Sequence, residues 1–276
     1  VRPAPTGEGS VLHAPPASCA ILDAMKALVG ERRAIAAAVL SFYGFIYLLL
    51  GWSAPPEWSA LLSAIAGLYG VAFLGVVAGW FWGRWFAQGL GYWGLVSGVL
   101  GMWQMGPEPI LVVLTASHAL VSAFLAGEAM AAGFDGRADW RSRYHLDDTG
   151  VQRLGKSVVR AAMSLPILIM WALAPSQPGS LVASANLYAL APALLGVVGV
   201  VALLQLRTWG LFALAAASVS LVAVAGVSLT AMAAAALLAA AVAPFARPLV
   251  RWGAAPGVAP GNSASMRAGP AAVSSL

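Results

Sequence analysis

The sequence predicts an all-α integral membrane protein: a bundle of about eight transmembrane helices with both termini on the cytoplasmic side of the cell membrane. Three observations predict it. Charged residues make up 9% of the 276 residues and hydrophobic ones 61%, with a mean hydropathy of +0.84. A soluble domain carries about 25% charge, and so few charges cannot cover a water-facing surface of this size. The uncharged runs are long: residues 60–83, ALLSAIAGLYGVAFLGVVAGWFWG, hold no charge, and about 20 apolar residues cross the roughly 30 Å hydrocarbon layer. Nor do these runs alternate apolar and polar residues in segments of about ten, as membrane-spanning strands do.

Taken in order, residues 1–24, VRPAPTGEGSVLHAPPASCAILDA, are rich in Pro, Gly, Ser and Ala and read as a disordered tail. Met25, followed by Lys26, Glu31, Arg32 and Arg33, reads as the better functional beginning. The first apolar run contains Tyr43 and Tyr47 and is followed by further spans, which suits a retained helix rather than a cleaved signal. The polytopic domain then covers 25–252, with apolar windows at roughly 34–51, 60–82, 85–103, 109–130, 158–174, 183–206, 208–225 and 228–246. Thr208 to Ala246 holds no charge and would extend roughly 58 Å as one helix, about twice the bilayer. It must fold back, and Gly226, Val227 and Ser228 are the natural turn. Residues 131–157 form a cytoplasmic loop, and 253–276, GAAPGVAPGNSASMRAGPAAVSSL, read as a second disordered tail.

A net charge of +5 and a pI near 9.8 would suit nucleic acid in a soluble domain. Here no nucleic-acid partner is expected, because Lys and Arg gather on the cytoplasmic loops of membrane proteins. With eight spans and the N-terminus inside, all 15 Lys and Arg fall on the inner segments. The opposite loops, GWSAPPEWSA, QMGPEP, APSQPGS and the turn at 226–228, hold none and carry Glu57 and Glu108. Trp52, Trp58, Trp103 and Trp171 then mark the outer interface, and Trp80, Trp82, Trp85, Trp209 and Trp252 the inner one. Arg84 and Arg207 each sit in a tight inner turn; beyond Arg and Trp the two turns share little, so no repeat is drawn from them.

One stretch, SRYHLDDTGVQRLGKSVVRAAMSLPILIMW at 142–171, passes from charge into oil. Asp147, Asp148 and Thr149 offer oxygens to the free N–H groups of a helix start. Val151, Leu154 and Val158 then recur at helical spacing, while Arg153, Lys156 and Arg160 follow the same rhythm on another face. Those three are the expected contacts to anionic lipid headgroups.

Small residues recur at helical spacing too: Gly67, Gly75, Gly79 and Gly83 in the second window, Ala87, Gly91, Gly94, Gly98 and Gly101 in the third. Small residues let backbones approach closely in lipid. The expectation is one tight hairpin of these two spans, with Gly75, Gly79, Gly94 and Gly98 as packing positions.

His118 is the one ionisable residue deep within a window, and intramembrane ionisable groups are costly and often functional. Thr115, His118 and Ser122 fall within a wedge of roughly 60°. Two readings of this stripe stand: a neutral imidazole that glues helices by hydrogen bonds, or a titrating group on a transport path with Gln104 and Gln205 near its mouths. Glu128 lies roughly 80° around the helix and is expected to reach the inner interface or an arginine there. A haem between two histidines is excluded because His13 and His145 lie outside the windows. The single Cys19 excludes an internal disulfide and a multi-Cys metal site. No metal and no cofactor are expected.

Residues 133–156 concentrate Asp135, Asp139, His145, Asp147 and Asp148 with five basic residues. A solvated loop ending in a helix cap accounts for them, and catalysis at the inner surface is the alternative. The leading functional expectation is a non-catalytic membrane-embedded subunit or assembly partner, with lipid and other membrane subunits as partners, because the spans hold few groups able to bind a polar solute. The alternatives are a transporter or channel using Thr115, His118 and Ser122, and an enzyme on lipid or isoprenoid substrates using His145, Asp147, Asp148 or Glu128.

Overall fold

The computed structural model describes residues 17–135, 147–174, 187–225 and 228–253, and every element among them is an α-helix. In chain order these are α1 (Ala17–Ser53), α2 (Pro56–Ala78), α3 (Gly83–Met105), α4 (Pro109–Phe124), α5 (Glu128–Asp135), α6 (Asp148–Leu173), α7 (Leu187–Leu204), α8 (Trp209–Ala225) and α9 (Leu229–Gly253). The first helix takes in 17–24, a stretch whose composition reads as a tail. Residues 1–16 and 254–276, and the loop residues Asp139 and His145, lie outside the described residues.

The chain is a multi-pass helical membrane protein. Phe42, Phe45, Leu74, Ile110, Val113, Phe212 and Val219 are exposed on the helix faces, where only a lipid solvent makes such surface stable. Among the described residues, four helices are long and apolar enough to cross alone: Val29–Ser53, Pro56–Ala78, Asp148–Leu173 and Leu229–Ala246. The pair Pro109–Phe124 and Glu128–Phe134 makes a fifth if it counts as one span. That is fewer than the eight windows, for two physical reasons. In α3, Arg84, Gln88, Gln104 and repeated glycines dilute the hydropathy. The described apolar parts of α7 and α8, Leu190–Leu204 and Trp209–Val224, are short, close to the lower end of the roughly 17–25 residues of a span.

The fourth window, 109–130, is not one helix. It ends at Phe124, and the chain turns by 74° into α5. Gly127 takes φ +99 at this corner, which its missing Cβ permits. The carbonyls freed there find donors: Arg32 Nη2 donates to Ala123 O at 3.1 Å and Ala126 O at 3.0 Å, and Arg84 Nη1 to Gly127 O at 3.2 Å.

Other boundaries follow local chemistry. α2 begins with Pro56 in its first turn, where no N–H is needed, and stops at Gly79 in the left-handed region, φ +67. Asp147 caps α6 by accepting from Gly150 N–H at 2.7 Å. At the end of α2, Arg33 Nε and Nη2 donate to Val76 O and Val77 O at 2.7 and 2.6 Å. The guanidinium thus meets the negative end of the helix dipole. These bonds bring the C-terminal ends of α2 and α4 level with the arginines of α1.

In the first half α1 packs on α2 and α3 on α4; in the second α7 packs on α8 and α6 on α9, and α3 against α6 joins the halves. The core runs continuously through both, from Leu40, Tyr69 and Leu90 to Leu168, Leu214 and Leu238.

Candidate functional site

The polar stripe of α4 is buried against α3. His118 is 1% exposed, and Tyr69 on α2 and Leu114 on its own helix reach its two ring nitrogens: Tyr69 Oη lies 2.6 Å from Nε2 and Leu114 O lies 2.8 Å from Nδ1. A carbonyl can only accept, so Nδ1 carries the proton and Nε2 accepts from the tyrosine hydroxyl. This arrangement suits the neutral ring. The Tyr43 ring lies 4.4 Å from the imidazole, centroid to centroid. Ser117 Oγ gives its proton to Val113 O at 2.7 Å and accepts from Tyr43 Oη at 2.6 Å. Thr115 Oγ1 donates back to Leu111 O at 2.7 Å. Among the described residues Ser122 Oγ is buried without a hydrogen-bond partner.

The glycines of α3 match this stripe residue for residue. A Cβ added at Gly98 would overlap Thr115 Oγ1, one at Gly94 the imidazole of His118, and one at Gly91 the hydroxyl of Ser122. The row therefore receives α4, which differs from the expected tight hairpin with α2. Close approach to α2 is confined to the turn, where a Cβ at Gly83 would overlap the Gly75 backbone. Gly79 lies at the same turn, where a Cβ would stand 3.0 Å from Arg33 Nη2. Helical spacing marks a face but not the neighbour that fills it.

A second constellation lies at the basic end. A cleft of about 710 Å³ opens between α3, α6 and the corner of α4 with α5, lined among others by Arg84, Trp85, Gln88, Tyr92, Glu128, Asp148, Gln152, Lys156 and Arg160. Glu128 and Lys156 are both exposed to it, and neither pairs with a described residue. Arg160 is partly buried and donates through Nη1 to Ala240 O at 2.6 Å. The Arg84 guanidinium lies 5.8 Å from the Trp85 ring centroid. Trp85 itself is buried, not part of the inner aromatic belt, because Gly155 leaves room for its ring against α6. Gln88 is 9% exposed and makes no hydrogen bond to a described residue.

Of the expected headgroup contacts, Lys156 and Arg160 line the cleft, whereas Arg153 lies beyond its edge. Of the acids, Glu128 and Asp148 face it, while Asp147 is engaged as a helix cap. Gln88 was not among the expected site residues. The signal available for it was its place four residues after Arg84, on the same helix face. Among the described residues no three His, Cys, Asp or Glu approach as metal ligands would.

No protein-family model, curated protein or solved structure matches the chain. Fold and sites together define a class, a multi-pass helical membrane protein with a polar cluster around the buried His118 in its first half and a charged cleft at one end.

Proposed function

We propose that this chain is a non-catalytic, membrane-embedded component that assembles with other membrane subunits, crossing the cell membrane eight times with both termini on the cytoplasmic side. One observation carries the functional part: Thr115, His118 and Ser122 are packed into the glycine row of α3, and the imidazole's hydrogen bonds are consumed within the chain. A transport path would need those groups to face a cavity together with Gln104 and Gln205. The cleft at Arg84 contains none of the five. The eight-span count is supported by the one-sided distribution of Lys and Arg, and for the first four spans by Arg32 and Arg33, which bind the ends of α4 and α2.

Three measurements test the reading. Cysteine at Ser53 should react with an impermeant thiol reagent on intact cells, and cysteine at Thr149 only after permeabilisation; the reverse pattern would refute the orientation. Vesicles reconstituted with the chain should show no pH-dependent flux. A proton-coupled flux that disappears in a well-folded His118→Gln protein would replace this reading with a transporter. Mild extraction from native membranes should yield a complex larger than the chain, and a monomer alone would refute the assembly role.

A further inference from the structure

We propose that the cleft between α3, α5 and α6 holds the head of a zwitterionic aminophospholipid, its phosphate against Lys156, Arg160 and Gln88 and its ammonium against Glu128. The inference goes beyond the assembly role and requires only that the chain be embedded in a membrane.

The cleft reaches deep into the leaflet. Along α6 the lining runs from Asp148 to Arg160, about 18 Å at 1.5 Å per residue. The polar layer of one leaflet is only about 5–8 Å thick, so the cleft starts at the headgroups and continues into the edge of the hydrocarbon. Polar side chains follow it along its whole length, since Asp148, Gln152, Lys156 and Arg160 recur every four residues on α6, with Val151, Val159 and Tyr92 as the apolar part of the lining. A phosphate held by Lys156 and Arg160 therefore lies below the headgroup surface, at a depth that a lipid embedded in the same leaflet reaches from the side. The volume, about 710 Å³, lies within the roughly 300–1,000 Å³ of small-molecule sites.

Arg84, Lys156 and Arg160 face Glu128 and Asp148 across the cleft, three cations against two acids. Glu128 and Lys156 share this space, yet neither pairs with the other or with any described residue. Opposite charges held apart in one cleft are complementary to a ligand that carries both. An anionic head without an amine would place its phosphate in the field of Glu128 and give that carboxylate nothing in return.

Gln88 faces the same space from α3. Its side chain is nine-tenths buried, lines the cleft, and makes no hydrogen bond to a described residue. Its amide opens to the cleft, since among the described residues only Ser122 Oγ is a fully buried polar side-chain atom without a partner, and a phosphate oxygen would accept from the NH₂ group. Arg160 is held in place by its bond to Ala240 O, and its other N–H donors remain for the same phosphate.

The test uses the full chain, purified in detergent and titrated under native mass spectrometry with phosphatidylethanolamine, phosphatidylglycerol and free phosphoethanolamine. Phosphatidylethanolamine should bind tightest, and the free headgroup at least about tenfold more weakly, since it lacks the apolar half of the contact. Lys156→Gln should weaken both lipids about tenfold by removing a charge-assisted bond to phosphate. Glu128→Gln should weaken phosphatidylethanolamine by a similar factor and leave phosphatidylglycerol unchanged or tighter. Arg153→Gln, outside the cleft, should bind as wild type. Both test residues are exposed and bonded to no described residue, so both variants should fold normally, checked by their unfolding temperatures. Equal binding of the two lipids by wild type would overturn the proposal, as would wild-type binding by either variant. Free phosphoethanolamine binding as tightly as the lipid would overturn the membrane source.

Discussion

Replacing Gly94 by Ala adds one carbon to the chain and places it inside the imidazole of His118. The ring cannot move away freely, because Tyr69 and Leu114 hold its two nitrogens and the Tyr43 ring lies beside it. Relief must come from separating α3 from α4 or from turning the ring off both partners. Overpacking a close-fitting core costs about 1–3 kcal/mol, and two hydrogen bonds in a membrane bundle add about 1.2 kcal/mol at their average of about 0.6 each. The sum is about 2–4 kcal/mol. At about 2–4 °C per kcal/mol for a chain of this size, the unfolding temperature in detergent should fall by roughly 5–15 °C. Gly67→Ala provides the contrast, since a Cβ there meets nothing within 4 Å. Alanine favours a helix over glycine by about 0.8–1 kcal/mol, so that variant should melt slightly higher than wild type. Opposite signs for the same chemical change isolate the contact. In the double variant Gly94→Ala with His118→Ala the obstacle is gone, and the two changes should couple by at least about 1 kcal/mol. If Gly94→Ala melted at or above Gly67→Ala, α3 and α4 would not meet as described.

The other expectations are smaller. Tyr69→Phe removes the donor to Nε2 and should cost about 0.6 kcal/mol in the same unfolding assay, while a loss several times larger would mean the hydroxyl does more than hold the ring. Asp147→Ala deletes the cap on Gly150 N–H and should cost about 1 kcal/mol, with Asp147→Asn close to wild type; equal losses from both would remove capping as the cause. Arg33→Gln strips the α2 carbonyls of Val76 and Val77 of their charged donor and should destabilise by about 1.5–3 kcal/mol, more than Arg153→Gln. Equal stability of those two variants would contradict the capping role.

Much of the fold was legible because hydropathy belongs to each residue separately and adds along the chain. Residues 60–83 announce a span whatever surrounds them, and the Asp147 start of α6 is equally local, since a carboxylate reaches an N–H three residues away without help from the rest of the protein. The paucity of charge was enough to place the molecule in lipid. Periodicity was less decisive. It marked Gly91, Gly94 and Gly98 as one face and Thr115, His118 and Ser122 as another, but α2 and α4 were both available to fill the glycine row. Only packing in three dimensions chose α4. The corner at Gly127 was hidden for a similar reason: Leu125, Ala126 and Gly127 look like the continuation of an apolar helix until Arg32 and Arg84, distant in sequence, supply donors to the carbonyls that the bend releases. The cleft depended most on tertiary structure. Gln88, Glu128 and Lys156 lie on three different helices, and they share a cleft only because α3 packs along α6 while the corner between α4 and α5 brings Glu128 to it. A contact is a property of two segments, set by close approach, and one segment's composition cannot contain it.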